Sequence, residues 1–197
     1  MVFARAPIPG QAKTRLIPAL GPDGAAELHR RLLLRTLETV RAATAGPLEL
    51  WCTPTCEHPV FALCQERFGL TLRLQEGDGL GQRMQNAFTT ALEQHSFAVL
   101  VGSDCASLDA AILEQAFRAL TEGQDAVIAP AEDGGYVLLG LRRLHERLFT
   151  GVPWGDPVVA ALTRSRMRAL GWRYLELPHQ WDVDIPSDLV RIAGLLD

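Results

Sequence analysis

The stretch FAVLVGSDCASL, residues 97–108, is the part of this chain from which its fold is best interpreted. It opens with a continuous apolar run, which Gly102, Ser103 and Asp104 follow. Short apolar runs bounded by turn residues are typical of strands that are buried on both faces, as in parallel sheets. A carboxylate at the carboxyl end of such a strand lies where open α/β sheets bind their ligands. Asp104 is therefore a candidate metal or substrate ligand, and the alternative is that it caps the helix that follows.

On both sides of this stretch, predicted strands and helices alternate. Such alternation favours a mostly parallel central sheet with helices on both faces, a three-layer α/β/α fold, and the length of 197 residues suits a single domain, 1–197. The predicted strands cover residues 1–4, 48–52, 70–75, 97–101, 125–130, 137–141 and 172–177. The predicted helices cover residues 25–43 (capped by Asp23), 59–68 (ended by Gly69), a segment from 82 to 93, 108–122, 158–170 and a last segment up to 196.

Composition excludes several classes of function. The net charge of −4 argues against a nucleic-acid partner, and no apolar run is long enough to cross a bilayer. The four cysteines form no CxxC pair and no metal-like group with histidine, and no signal peptide is apparent, so a cytoplasmic location is expected. The sequence carries no clear signal for an oligomeric state.

One compositional bias singles out a residue, because the chain has eighteen arginines and a single lysine, Lys13. Lysine provides a compact ammonium on a flexible stem, which an arginine does not replace. Lys13 stands with Arg15 at the end of RAPIPGQAKTRL, residues 5–16, where two prolines and a glycine prevent regular structure. A loop of this kind after a first strand suits a polyphosphate, although the spacing of a Walker loop is missing. The alternative is an exposed basic loop.

Three further loops carry candidate residues. EGDGLG, residues 76–81, precedes a helix with Arg83 in its first turn, where a cation opposes the helix dipole and so indicates an anionic ligand or a simple surface arginine. AEDGGY, residues 131–136, is either a loop that a ligand approaches closely or a tight hairpin turn. DVDIPSD, residues 182–188, contains three acids, of which Asp184 could cap the last helix.

These residues suggest one kind of chemistry. Oxygen ligands at strand ends, without clusters of Cys or His, favour Mg²⁺ or Mn²⁺ over zinc. Two separate acids and a cationic loop suit a diphosphate bridged by such a metal. The metal and Lys13 would neutralise the charge that develops on a phosphate leaving group.

Six segments, in this order, resemble a family of small bacterial proteins, DUF2064, with the GT-A or nucleotide-diphospho-sugar transferase fold. They are FARAPIPGQAKTRL (3–16), GLGQRM (79–84), VGSDCASL (101–108), AEDGGYVLLGL (131–141), PWGDPVV (153–159) and DVDIPSDL (182–189). The resemblance covers nearly the whole chain. Two departures are that the first strand is expected to be short, and that Ala106 stands where the family usually has proline.

The resemblance also implies roles for individual residues. The nucleotide ligands that it implies, with Arg83 added for its place in the helix, are Ala4, Arg5, Gly10, Lys13, Arg15 and Arg83. The implied metal ligands are Asp104 and Asp184, and the implied acceptor or sugar ligands are Asp133, Gly134 and Gly135. We expect Lys13, Asp104 and Asp133 to be catalytic, with Asp133 orienting or deprotonating the acceptor.

The function that these expectations favour is metal-dependent transfer from a nucleotide-sugar to a small-molecule acceptor. The alternative is nucleotidyl transfer, in which a phosphorylated substrate attacks an NTP and pyrophosphate leaves. A third, less favoured interpretation is a nucleotide-binding protein without catalysis. Fold alone does not decide among them, because function resides in the site.

Overall fold

Strands and helices alternate along this chain, whose computed structural model describes residues 1–192. The strands in that range are β1 (Val2–Arg5), β2 (Glu49–Thr53), β3 (Thr71–Leu74), β4 (Ala98–Gly102), β5 (Ala126–Pro130), β6 (Tyr136–Leu141) and β7 (Tyr174–Glu176). The α-helices are α1 (Ile17–Ala43), α2 (Pro59–Phe68), α3 (Leu80–Leu92), α4 (Ala110–Thr121) and α5 (Val159–Ala169), and short 3-10 helices cover Thr14–Leu16, Glu146–Leu148 and Pro186–Ile192. The predicted α/β class with a mostly parallel sheet is confirmed.

The chain groups into two compact units. The first contains Met1, Gln75–Val101 and Ala111–Trp181, and the second contains Val2–Leu74, Gly102–Ala110 and the described residues from Asp182 onward. The expectation of one domain over the whole length stays a prediction.

In the second unit, β1, β2 and β3 are parallel neighbours, with β2 in the middle. Val2 lies opposite Leu50, and Leu50 lies opposite Leu72. Helix α1 buries its apolar stripe here, since Leu32, Leu33 and the other predicted positions of the stripe are buried. At about 25 cal/mol per Å² of apolar surface, such burial is what stabilises an amphipathic helix beside a sheet.

The start of α1 differs from the prediction. The helix begins at Ile17 and is interrupted at Gly21, which has a φ of +70° and a ψ of 168°. Pro22 opens the part after this kink, where a missing N–H costs nothing. Asp23 therefore lies inside the helix, and the predicted cap was wrong.

In the first unit, β6 runs antiparallel to both β4 and β5, whereas β7 is parallel to β5. All five residues of β5 are buried, as expected for a strand covered on both faces. β5 and β6 form a hairpin joined by residues 131–135, and whether a ligand approaches this turn stays a prediction.

The ends of two further helices can be compared with the prediction. Helix α2 has the predicted bounds, and Gly69 ends it with a φ of +58°. The predicted last helix is a 3-10 helix over Pro186–Ile192, and its continuation to residue 196 lies outside the described residues.

Within residues 1–192, no helix combines the length and apolar character needed to cross a bilayer.

Candidate active site

The loop after β1 is ordered by its own backbone. The N–H groups of Gln11 and Ala12 both donate to the carbonyl of Ile8, at 2.9 and 3.1 Å. Lys13 follows with φ 47° and ψ 46°, the one left-handed conformation at a non-glycine residue in the part of the chain that the structure describes. Such a conformation costs about 1 kcal/mol or more and is often found at functional sites. The ordered loop backbone therefore determines the direction in which the Lys13 side chain leaves the main chain.

The Lys13 ammonium joins two carboxylates that are far apart in sequence. Its Nζ donates to Asp104 Oδ2 at 2.9 Å and lies 3.9 Å from Asp184 Oδ1. Arg15 forms a second ion pair with Asp184 through Nη1. The Lys13 side chain is only 5% exposed, whereas those of Asp104, Asp184 and Arg15 are 39%, 41% and 71% exposed. We call these four residues the charged cluster, and all four belong to the second unit.

Backbone contacts hold the two carboxylates of the charged cluster together. Val183 donates its N–H to the carbonyl of Asp104 at 3.2 Å, and Cys105 forms an isolated bridge with Asp182. The Asp188 carboxylate accepts the N–H groups of Asp184 and Ile185, each at 2.9 Å. Asp188 therefore caps the last described helix, and the side chain of Asp184 pairs with cations instead of capping it.

The charged cluster lowers the pKa of Asp104. Burial would raise the pKa of Asp104, but the ion pair and hydrogen bond with Lys13 outweigh it, and the pKa is lowered. Asp104 is therefore a carboxylate at neutral pH. An ionised oxygen with a cationic neighbour is suited to a charged ligand, and the role of Asp104 as a metal or substrate ligand stays a prediction.

His29 is a neighbour of the charged cluster that the sequence interpretation missed. Its ring is buried, and Nε2 lies 2.9 Å from the carbonyl of Arg5, where β1 ends. Because that carbonyl only accepts, Nε2 carries the proton, and the buried Nδ1 has no hydrogen-bond partner among residues 1–192. Burial lowers the pKa of His29 most strongly, and the charge of Lys13 also lowers it, whereas the hydrogen bond to the Arg5 carbonyl and the charge of Asp104 raise it. The one feature of the sequence that could have indicated a role for His29 is that a histidine lies on the apolar face of α1.

The remaining nucleotide candidates of this unit offer mainly backbone. Ala4 is buried in β1, and Gly10 is exposed in the loop with a φ of +79°. Arg5 is exposed at the end of β1. Ala106, the departure from the family pattern, is fully buried. These roles stay predictions.

Arg83 and the acceptor candidates belong to the first unit, not to the unit that holds the charged cluster. The Arg83 Nε donates to the carbonyl of Gly77 at 3.0 Å, and Asn86 donates to the carbonyl of Glu76 at 2.9 Å. The guanidinium thus ties the glycine-rich loop to α3. This contact gives a structural reason for a cation in the first turn of that helix.

The turn between β5 and β6 is closely packed at one glycine. Gly135 donates its N–H to Asp133 Oδ1 at 2.8 Å, and the Asp133 side chain is exposed. Gly134 has a φ of +89°, and a Cβ there would lie 2.1 Å from the carbonyl oxygen of Pro157. Its own carbonyl accepts the N–H of Ala160 at 2.9 Å. Because Gly134 has no side chain, the turn can pack directly against the backbone of Pro157, in the segment before α5.

A second packing feature of this unit also escaped the sequence interpretation. Tyr136 lies edge-on to Trp154, with ring centroids 6.3 Å apart, and burial raises the pKa of Tyr136. Gly81 in α3 makes room for the indole, because a Cβ there would lie 2.6 Å from Trp154 Nε1. The motifs GLGQRM and PWGDPVV therefore meet within one unit.

The family profile described as "Uncharacterized protein conserved in bacteria (DUF2064)" matches residues 36–156, more than half of the chain. The chain belongs to the DUF2064 family. In this DUF2064 protein, Asp104 and Asp133 lie inside the matched range, whereas Lys13 and Asp184 lie outside it. No curated protein is similar to the chain in sequence.

Solved structures resemble this DUF2064 protein over nearly its whole length. A "putative nucleotide-diphospho-sugar transferase" from Desulfovibrio desulfuricans G20 is 28% identical, with a TM-score of 0.85 over 99% of this chain and 94% of that one. A nucleotidyl transferase from Methanothermobacter thermautotroptrophicus is 16% identical, with a TM-score of 0.63 over 99% and 96%. Glucosyl-3-phosphoglycerate synthase from Mycobacterium tuberculosis, in complex with Mn²⁺ and UDP, is 12% identical, with a TM-score of 0.55 over 99% and 75%. This chain thus has the fold of nucleotide-dependent transferases.

Proposed function

We propose that this protein transfers a sugar from a nucleotide-diphospho-sugar to a small-molecule acceptor. The observation that carries the proposal is the charged cluster, in which one buried ammonium lies within 4 Å of two carboxylates. Buried or half-buried charges of this kind are costly to maintain and concentrate at functional sites. The similarity to a structure described as a transferase of nucleotide-diphospho-sugars agrees with this class.

The two cations of the charged cluster would bind the diphosphate. Arg15 is largely exposed, so its guanidinium is free to reach phosphate oxygens beyond its contact with Asp184. Lys13 carries a point charge on a flexible stem, which suits the charge that develops as the nucleoside diphosphate leaves. The exposed backbone of the loop around Gly10 would contribute N–H groups to the same ligand.

Asp104 and Asp184 fit a divalent metal. Both side chains are half-exposed carboxylates that lie within 4 Å of the same ammonium, that of Lys13. Carboxylate oxygens are the donors that Mg²⁺ and Mn²⁺ prefer. Among residues 1–192 no group of three His, Cys, Asp or Glu side chains could hold an ion, so phosphate oxygens and water would complete the coordination. Such an ion supplies positive charge to a leaving diphosphate.

On the acceptor side, we assign Asp133 to orient or deprotonate the attacking hydroxyl. One of its oxygens is engaged by the N–H of Gly135, and the exposed side chain leaves the second oxygen accessible. Gly134 and Gly135 would contribute backbone, and Arg83 would contact the nucleotide. The alternative for this turn is a purely structural hairpin.

Binding of nucleotides tests the proposed function directly. UDP-, GDP-, dTDP- and CDP-sugars and the NTPs are each added with Mg²⁺ or Mn²⁺, and thermal unfolding is measured for the wild type, Asp104→Asn and the control Glu114→Gln. Glu114 is an exposed acid on α4 and is not part of the charged cluster, so its variant removes one negative charge but none of the carboxylates that pair with Lys13 and Arg15. A ligand at about a hundred times its Kd stabilises by about 2.7 kcal/mol, a readily measured shift.

We expect a metal-dependent shift with one nucleotide-sugar, which Asp104→Asn abolishes and Glu114→Gln retains. Release of the nucleoside diphosphate on addition of an acceptor would then establish glycosyl transfer. A shift with one NTP alone, followed by release of pyrophosphate, would replace it with nucleotidyl transfer, the function of the 16% identical neighbour. A protein that no nucleotide stabilises would contradict both.

A further inference from the structure

Among the residues that the structure describes, Lys13 has only two carboxylates with which to pair its charge. Its ammonium contacts Asp104 and Asp184, and its side chain is 5% exposed. A cation that binds these two carboxylates would take the acceptors that Lys13 now uses. The ammonium would then be a buried charge without a partner, which is strongly unfavourable.

The charge balance of the cluster leads to the same conclusion. Lys13 and Arg15 carry two positive charges, and Asp104 and Asp184 carry two negative ones, so the charged cluster is formally neutral. Addition of a dication leaves it with an excess of positive charge. A nucleotide diphosphate is an anion that restores the balance and offers new acceptor oxygens to Lys13.

We propose that the Lys13 ammonium and the divalent cation compete for Asp104 and Asp184, so that the cation binds well only together with a nucleotide diphosphate. This inference rests on the proposed function, because it assigns the two carboxylates to a metal. Lys13 is then both a ligand of the phosphate and an internal counter-ion that prevents the metal from binding alone. The left-handed backbone at Lys13 sets the direction in which this side chain leaves the loop, and the contacts with Asp104 and Asp184 position its ammonium.

Arg15 provides a matched control for this competition. It is the other cation of the charged cluster, but its side chain is 71% exposed and it contacts Asp184 alone among the two carboxylates. An exposed arginine that loses its partner is solvated by water, at little cost. Removal of either charge makes the site more negative by the same amount. Only removal of Lys13 also removes a competitor for both carboxylates.

The experiment measures the affinity for Mn²⁺ by electron paramagnetic resonance, with the wild type, Lys13→Met and Arg15→Met, in the absence of any nucleotide. We expect Lys13→Met to bind Mn²⁺ at least about tenfold more tightly than the wild type, equivalent to about 1.4 kcal/mol. Arg15→Met should change the affinity by less than about fivefold. Lys13→Asn serves as a second variant, because asparagine tolerates the left-handed backbone, and circular dichroism checks that both are folded.

A second measurement determines how UDP and GDP change the Mn²⁺ affinity. Whichever nucleotide the wild type binds should strengthen Mn²⁺ binding in the wild type. The factor should be smaller in Lys13→Met, because no ammonium then competes with the metal for the carboxylates or needs phosphate oxygens in their place. The inference is overturned if neither Lys13 variant binds Mn²⁺ more tightly than the wild type, or if Arg15→Met gains as much as Lys13→Met. Failure of the proposed function has a different signature, because the wild type would then bind no nucleotide while the metal-alone comparison still gives its own result.

Discussion

The turn at Gly134 allows a substitution whose cost follows from its geometry. In Gly134→Ala, the new methyl group would lie 2.1 Å from the carbonyl oxygen of Pro157 and 2.5 Å from its carbonyl carbon. Both atoms belong to the backbone, so they cannot rotate away as a flexible side chain would. The contact is relieved only if the turn or the segment before α5 moves. Movement would weaken the hydrogen bond from Ala160 to Gly134.

The destabilisation has three contributions. A φ of +89° costs an alanine about 1 kcal/mol, and overpacking adds about 1–3 kcal/mol. The weakened hydrogen bond contributes about 1 kcal/mol or less. We therefore expect the free energy of unfolding to fall by about 2–5 kcal/mol, which lowers the Tm of a chain of this size by about 10 °C.

Gly155→Ala isolates the backbone contribution, because Gly155 has a similar φ of +95° and no atom lies within 4 Å of the place that a methyl group would occupy there. It should cost about 1 kcal/mol, or about 3 °C in Tm. Urea unfolding and differential scanning calorimetry measure both variants beside the wild type. If Gly134→Ala were no less stable than Gly155→Ala, the close approach between the turn and Pro157 would be refuted.

Three further predictions concern other parts of the molecule. Asp104→Asn should lower the free energy of unfolding by about 1–3 kcal/mol at neutral pH in urea titrations, because it leaves the buried Lys13 charge poorly paired. Since the pKa of Asp104 is lowered, this difference should persist above pH 3.8 and disappear as the pH falls through the folded-state value. The wild type should lose stability relative to His29→Gln as the pH falls below 6.5, because burial lowers the pKa of His29 and only the unfolded state gains the proton, which unfolding at a series of pH values would detect. In Gly81→Ala the new methyl group would lie 2.6 Å from Trp154 Nε1 and 2.7 Å from the carbonyl oxygen of Phe149, so the variant should displace the indole and change the intrinsic fluorescence. An unchanged spectrum would contradict this close packing.

Local patterns in the sequence were sufficient to predict most of the elements. The continuous apolar runs of β5 and β6 are typical of strands buried on both faces, the stripe of α1 has the period of a helix, and these segments are buried as expected. Asp104 was found from its place after an apolar strand. Asp184 was predicted as a metal ligand only from the family resemblance, because its local context also suited a helix cap. A candidate residue can therefore be predicted from a single sequence when its type and its position at the end of a strand both point to ligand binding.

Contacts between distant residues were not predictable in this way. Lys13 and Asp104 are 91 positions apart, and Arg15 and Asp184 are 169 apart, so no local pattern shows that they pair. His29 resembles an ordinary residue of an apolar helix face, because its role depends on the carbonyl of Arg5.

The burial of Lys13 has a practical consequence for chemistry in solution. Because the chain contains a single lysine, reagents that acylate amines can modify only this side chain and the chain terminus. An ammonium on a side chain that is 5% exposed and paired with a carboxylate reacts slowly, since acylation requires the free amine. The acylation rate of the peptide that carries residue 13, followed by mass spectrometry, would therefore report the state of this one site without any label or engineered residue.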